Sequence, residues 1–405
     1  MLTVEPAARS GRSQRRIALA LAGGGPLGAF YQLGCLHALS ECTEGLDLEQ
    51  LDAYVGVSSG AIIAAGLANR IATHEMVRLF FVEDGAGTHP LTPGALMRPA
   101  VGEYLDRALR LPKLAADVIK RLARDPLGQN WAGLLSPLLQ AIPTGVFDNR
   151  PFEQYLRALL TSDGRSNDFR KLPAMLRIVA TDLNSGTEVR FGEPGYERVP
   201  ISEAIRASTA LPGLYTPVQL GGHTYVDGAL LRTVHASLVL DQGADLVISV
   251  NPLVTFDATH PRAHGPRNLA QGGLTAVMNQ TFRALIQSRM QIGMATYRQR
   301  YPHSDRLLFE PDRDDEVMFF TNVFRYAERR RLANHAYQQT RRDLLQHADA
   351  LAPLLRRHEI ALRFDRLNDA KRTFDSCVTG ARFGTVTTSD LNNTLDHLSR
   401  WIAAQ

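Results

Sequence analysis

The chain has 405 residues, 45 Lys and Arg against 41 Asp and Glu, and a hydrophobic fraction of 44%. That is enough apolar content for a large core with additions around it, while a net charge of +4 is too mild to argue for nucleic acid. No apolar run reaches the roughly 18 residues a membrane span needs, and the odd set Cys35, Cys42 and Cys377 reads as reduced thiols.

Residues 1–15 read as a loose, flexible tail. Its Arg12 and Arg15, with Arg16, precede the apolar stretch 17–22 and superficially suggest a secretory or twin-arginine signal. Cleavage behind that stretch would remove the first strand, so a cytoplasmic protein is expected. Ile17–Ala22 predicts a buried strand, Gly23-Gly24-Gly25-Pro26-Leu27-Gly28 a glycine-rich turn, and Phe30, Leu33, Leu36, His37 and Leu39 a helix. Cys35 and Cys42 then share a helix face rather than a bridge. Such a turn leaves backbone N–H groups open to an anion or an oxyanion. The same six residues fit the dinucleotide pattern G-x-G-x-x-G. That reading wants an acidic residue closing a second strand about twenty positions on. Glu41, Glu44 and Asp47 fall in a polar loop instead.

The next predicted strand, Leu51 to Val55, runs into Gly56-Val57-Ser58-Ser59-Gly60 and then a helix through Ala61, Ile62, Ala64 and Ala65. A serine between two glycines at a strand-to-helix turn is presented sharply, at a helix N-terminus that favours developing negative charge. Residues 72–150 read as an insertion of short helices punctuated by Pro90, Pro93, Pro99, Pro112 and Pro126. Within it Trp131, Leu134, Leu135, Leu138 and Leu139 form an apolar patch, read as a cap packed on the core, or as a lid or lipid-facing surface. The segment ATDLNSGTEVRFGE follows at 180–193, and residues 201–229, ISEAIRASTALPGLYTPVQLGGHTYVDGA, close a strand at Asp227-Gly228-Ala229. From about Thr255 the chain reads as mostly helical, with Leu332, Ala336, Thr340 and Leu344 on one face. Arg329-Arg330-Arg331, Arg341-Arg342 and Arg356-Arg357 read as solvated faces with partners such as Glu328 and Asp343, or as attraction to a membrane surface. A last amphipathic segment carries Leu391, Leu395, Leu398 and Ile402.

In this order, GGGPLG, GVSSG, the 180–193 segment and the 201–229 segment closely resemble the patatin-like phospholipases, from about Ile17 to Val250. The resemblance implies an α/β fold with a central, mostly parallel sheet flanked by helices. The catalytic domain would be residues 16–255, including the insertion 72–150, with a mostly helical extension over 256–405 packed on it. It further implies a Ser-Asp dyad, with Ser58 as nucleophile and Asp227 as proton acceptor. Gly23, Gly24, Gly25 and Gly28 would form the oxyanion loop, with donors from the amides of Gly24 and Gly25. Gly56 and Gly60 would frame the nucleophile elbow, and Gly228 and Ala229 complete the DGA motif. The implied substrate is a lipid acyl ester, of the phospholipase A or lysophospholipase type, with no cofactor and no metal. Peripheral contact at the inner membrane surface is a further expectation.

An exposed aspartate has a pKa of about 4 and is a feeble base at neutral pH, so Asp227 has to be desolvated or closely aimed. The rival is a histidine base: His235, His260, His264 and His303 follow Asp227, and His223 just precedes it. Two departures from the family pattern stand out. Leu27 occupies the loop position where members commonly carry Arg or Lys, and Leu230-Leu231-Arg232 follows the aspartate motif where an asparagine or proline is usual. Smaller acyl esters or thioesters, and a catalytically silent lipid-binding role, therefore stay open as alternatives.

Overall fold

Ile17–Leu21 (β2) is a five-residue apolar run buried along its whole length, which requires both faces of its sheet to be covered. The computed structural model describes residues 1–8, 15–81, 96–124, 139–232, 234–259, 268–321, 326–374 and 376. Before and after β2 come β1 (Leu2–Glu5), α1 (Gly25–Cys42), β3 (Ala53–Val57), α2 (Ser59–Ala68), α3 (Thr73–Phe81) and α4 (Val101–Arg124). The middle of the chain supplies α5 (Arg150–Leu160), β4 (Met175–Asp182), β5 (Glu188–Phe191), α6 (Ile201–Ser208), β6 (Val218–Leu220), β7 (His223–Asp227) and β8 (Leu246–Val250). The last third supplies α7 (Gly273–Arg300), β9 (Asp305–Phe309), α8 (Tyr326–Gln346) and α9 (Ala348–Arg356).

Among the described residues, nine strands form one mixed sheet. Its middle, β9-β8-β2-β3-β4, is parallel throughout. β1 adds antiparallel to β9, and β5, β7 and β6 add antiparallel at the other end. Alternation along β2 sends Leu19 and Leu21 to a core under α1, α2 and α8, and Ala18 and Ala20 to a second core that includes Val239 and Tyr297 of α7. The result is a three-layer α/β/α arrangement, as the sequence predicts. α8 lies on α1 through Leu332, Ala336, Tyr337 and Leu344, all buried, and burying each large apolar side chain there contributes about 1.5–3 kcal/mol.

The ends of the chain differ from the expectation. Leu2–Glu5 is no loose tail: it pairs residue by residue with β9, Leu2 opposite Phe309 and Glu5 opposite Arg306. The region after residue 255 is not only a helical addition either, because β9 is a fully buried strand of the same nine-stranded sheet. The unpaired edge of β8 needs a partner, and Arg306-Leu307-Leu308-Phe309 supplies it. Arg329 and Arg341 are buried rather than solvated. Arg341 donates to the carbonyls of Arg366, Leu367, Asp369 and Arg372 and so fastens the following chain to α8. Cys35 and Cys42 are buried free thiols on α1, pushed by burial up to about 12 and about 11. Trp131, Leu134, Leu135, Leu138, Cys377 and the 391–402 segment lie outside the described residues. No described helix is long and apolar enough to cross a membrane.

Candidate active site

The geometry of the site follows from how β4 is shared. β5 covers Ile178–Thr181 along one edge of β4. On the opposite edge β3 runs parallel and ends with Val57 opposite Val179, while β7 runs antiparallel and ends with Asp227 opposite Ala180. Two strands thus meet end to end against consecutive residues of β4. The turn leaving β3 carries Ser58, and the last residue of β7 is Asp227. Residues 169 positions apart are brought together by register alone, which the motif order implied and the sheet explains.

Ser58 sits as N-cap of α2 with φ 52° and ψ −122°, a conformation that costs a non-glycine residue on the order of 1–3 kcal/mol. Its surroundings hold it there. The Ser58 N–H donates to Ser208 Oγ at 2.8 Å, and Ser208 Oγ–H donates to the Val179 carbonyl at 2.5 Å. Gly60 touches the neighbouring strand: a Cβ there would lie 2.5 Å from the Leu21 carbonyl oxygen and 2.7 Å from that of Ala22. Gly56 is equally tight against Ala61. The glycine loop closes over the serine from the other side, since a Cβ on Gly23 would fall 3.2 Å from Ser58 Cβ and 2.8 Å from that of Ala229. Gly24 is the N-cap of α1, Gly25 its first residue with φ 59°, and Gly28 packs on Pro252. As the leading residues of a helix, Gly24 and Gly25 have N–H groups with no carbonyl partner inside it.

Asp227 is 2% exposed. Burial pushes its carboxyl up to about 6, against the opposing pull of the nearby Ser58 side chain and of a hydrogen bond from the Ala229 N–H at 2.9 Å. Gly228 follows it closely over the Val179 carbonyl. The desolvation that a working aspartate base needs is therefore present.

Ser58 opens onto an apolar cavity of about 60 Å³, lined by side chains such as Phe30, Ile62, Phe80, Phe152, Leu214 and Tyr215, with Arg329 as its charged lining residue. That volume holds on the order of two water molecules, so a long acyl chain must part these side chains or reach beyond them. Phe80 and Leu96 come from the 72–150 insertion, which thereby contributes to the wall. Leu27 does not line the cavity; it packs on the core under α1. The guanidinium of Arg329 lies over the Phe30 ring, 5.6 Å from its centroid.

His223 and His235, among the described residues, have other partners. His223 Nδ1 is 2.7 Å from Asp182, whose carboxyl it holds below the usual range, and it is more than half exposed. His235 is buried between Glu188, 3.5 Å away, and the Arg232 carbonyl at 3.1 Å. His260 and His264 lie outside the described residues. Ser208 and Ser59 are the neighbours of Ser58 that motif reading passes over. Ser208 was signalled by its position, seven residues after Ile201 on the buried face of α6.

A family model described as "Patatin-like phospholipase" matches residues 19–240, more than half of the chain. The chain belongs to the patatin-like phospholipase family. That family is one of lipid hydrolases. This patatin-like chain is 37% identical over 81 residues to an uncharacterized NTE family protein of Mycobacterium tuberculosis and equally to one of Mycobacterium bovis. Those matches take in 20% of the chain and about a fifth, 21%, of the length of the curated relatives. Among solved structures, VipD from Legionella pneumophila is similar with a TM-score of 0.32 and 16% identity, over 64% of this chain and 55% of that one. Human GIVD cytosolic phospholipase A2, in complex with methyl gamma-linolenyl fluorophosphonate, gives a TM-score of 0.35 and 13% identity, over 87% and 61%.

Proposed function

We propose that the chain is a serine acyl hydrolase that cleaves lipid acyl esters, of the phospholipase A or lysophospholipase type, through Ser58 and Asp227. Ser58 Oγ attacks the ester carbonyl carbon while its proton passes to Asp227. The carbonyl oxygen takes up the negative charge and accepts hydrogen bonds from the loop amides of Gly24 and Gly25, a contribution of about 3–4 kcal/mol per donor. Collapse expels the alcohol, which takes the proton from Asp227. Water then attacks the acyl-enzyme with Asp227 as base, the bond from the acyl carbon to Ser58 Oγ breaks, Asp227 returns the proton to Oγ, and the fatty acid leaves. The single observation that carries this reading is the buried carboxyl of Asp227, raised to about 6 and facing the Ser58 side chain. The narrow cavity supports a second reading, a carboxylesterase or thioesterase for a smaller acyl group.

A fluorophosphonate probe should label Ser58 alone, and Ser58→Ala should abolish both labelling and hydrolysis. His223→Ala and His235→Ala should keep most of the activity. A histidine variant that matches the Ser58→Ala loss while still folded removes the dyad. A panel of phospholipids, lysophospholipids, short-chain esters and thioesters separates the two substrate readings.

Contact with a lipid surface, at the cytoplasmic face of a membrane, is part of the same reading, and α4 supports it. Val101, Leu105, Leu109 and Ile119 fall on one side of that helix and are 56–80% exposed, with the exposed Lys113 and Lys120 along the border of the stripe. The helix rises beside the cavity: Pro99 bridges to Phe147, whose ring lies 6.3 Å from that of Tyr215 in the cavity wall. Leu105→Glu with Leu109→Glu should cut flotation with phosphatidylglycerol-containing vesicles while sparing a soluble short-chain ester. Unchanged flotation would remove α4 from the reading.

A further inference from the structure

Ser59, directly after the nucleophile, is 3% exposed, and its Oγ has no hydrogen-bond partner among the described residues. It lines the same cavity as Ser58. Its place within that cavity is also fixed, because a Cβ built on Gly28 would fall 3.0 Å from Ser59 Oγ. The hydroxyl therefore lies against the first turn of α1, next to the loop whose amides face the reacting carbonyl in the reading above.

A buried hydroxyl without a partner lowers stability, since it has given up water and gained nothing in return. Native proteins keep few such groups, and alanine in the first turn of α2 would avoid the loss and favour the helix. The hydroxyl is poised for an acceptor that the protein itself does not supply. At this place the acceptor that arises during the reaction is the carbonyl oxygen of the substrate, most strongly once it carries negative charge.

We propose that Ser59 Oγ–H is a further donor to that oxyanion, beside the backbone amides of the glycine loop. The inference rests on the hydrolase reading. No bond to Ser59 forms or breaks and its proton stays on Oγ; rotation about the Cβ–Oγ bond turns the O–H toward the oxygen as charge develops. A donor that acts mainly in the transition state contributes to kcat and leaves KM nearly unchanged.

The test compares full-length wild type, Ser58→Ala and Ser59→Ala on a soluble p-nitrophenyl ester. It measures kcat, KM, the rate of inactivation by a fluorophosphonate, and the urea-unfolding midpoint. For Ser59→Ala, kcat and the inactivation rate should fall together by about 10²-fold, KM should stay within about twofold, and the midpoint should be unchanged or higher. The midpoint separates this role from a structural one, because removing an unpaired hydroxyl cannot cost stability, whereas removing a partnered one does. A kcat for Ser59→Ala within twofold of wild type overturns the proposal, and so does a fall in midpoint that accompanies the loss of kcat. If Ser58→Ala is inactive while Ser59→Ala is fully active, only the Ser59 role fails. If the probe does not label Ser58 in wild type, the hydrolase reading fails and takes the Ser59 role with it.

Discussion

Asp227→Asn should make the protein more stable as it makes it inactive, and the size of the gain should depend on pH in a defined way. The carboxyl is fully buried and raised from 3.8 to about 6. A shift of about two units corresponds to about 3 kcal/mol of differential interaction between its two protonation states. Below pH about 4 the group is protonated in both the folded and the unfolded chain, and wild type and variant should differ little. Between about 4 and 6 the unfolded chain has released its proton while the folded one still holds it, so wild-type stability falls by about 1.4 kcal/mol per pH unit. Above about 6 both states are ionised and the deficit is constant at about 3 kcal/mol. Asparagine keeps an oxygen to accept from the Ala229 N–H and carries no charge to desolvate. Urea unfolding of both proteins at half-unit intervals from pH 4 to 8 measures the difference directly. A variant less stable than wild type at pH 7, or a difference that is flat across this range, would refute the idea that burial sets the basicity of Asp227.

Three further outcomes follow from the same geometry. The kcat/KM of wild type on a soluble ester should rise roughly tenfold from pH 5 to pH 7 and level off above that, tracking ionised Asp227; a profile that is flat over this interval would exclude a base with pKa about 6. Ser208→Ala leaves the Ser58 N–H buried without its acceptor, so the urea midpoint should drop by an amount equivalent to about 1–3 kcal/mol and kcat should fall with it, whereas unchanged values would make the bond irrelevant to the elbow. Gly60→Ala places a Cβ 2.5 Å from the Leu21 carbonyl oxygen and should cost several kcal/mol, about 3 or more, while Gly102→Ala on the open face of α4 should stabilise by up to about 1 kcal/mol; similar midpoints for the two would contradict the packing.

Much of the site was legible because its signals are local. Glycines at fixed offsets mark a strand turning sharply into a helix, and the mostly apolar stretches 17–22 and 51–55 before them read as buried strands. The proximity of Ser58 to Asp227 was not local and entered only through resemblance; its physical cause is the shared edge of β4, a matter of long-range register. β1 escaped because Leu-Thr-Val-Glu is too short to show a period, and its partner lies about 300 residues on. β9 is a short apolar run set between helical stretches, where periodicity cannot separate strand from helix. The buried arginines did leave a trace. Arg329 stands four residues before Ala333 and seven before Ala336, which are both buried, so helical spacing already placed it on the inner side of α8. Ser59 left none, because nothing in a sequence distinguishes a hydroxyl that finds a partner from one that does not.

The addition of β9 to the sheet bears on how the molecule is made. β8, Leu246–Val250, is apolar but for Ser249 and offers one complete edge of N–H and C=O groups until Asp305–Phe309 arrives beside it. During synthesis at about 5–20 residues per second, the roughly 60 residues from there to the end of β9 take on the order of 3–12 s to emerge. For that interval the nascent chain displays an open, sticky strand edge of the kind that recruits chaperones or other unfinished chains. A fragment ended at residue 255, the expected end of the catalytic domain, keeps every residue proposed for the chemistry and never closes that edge. The unit of folding is thus longer than the unit of catalysis.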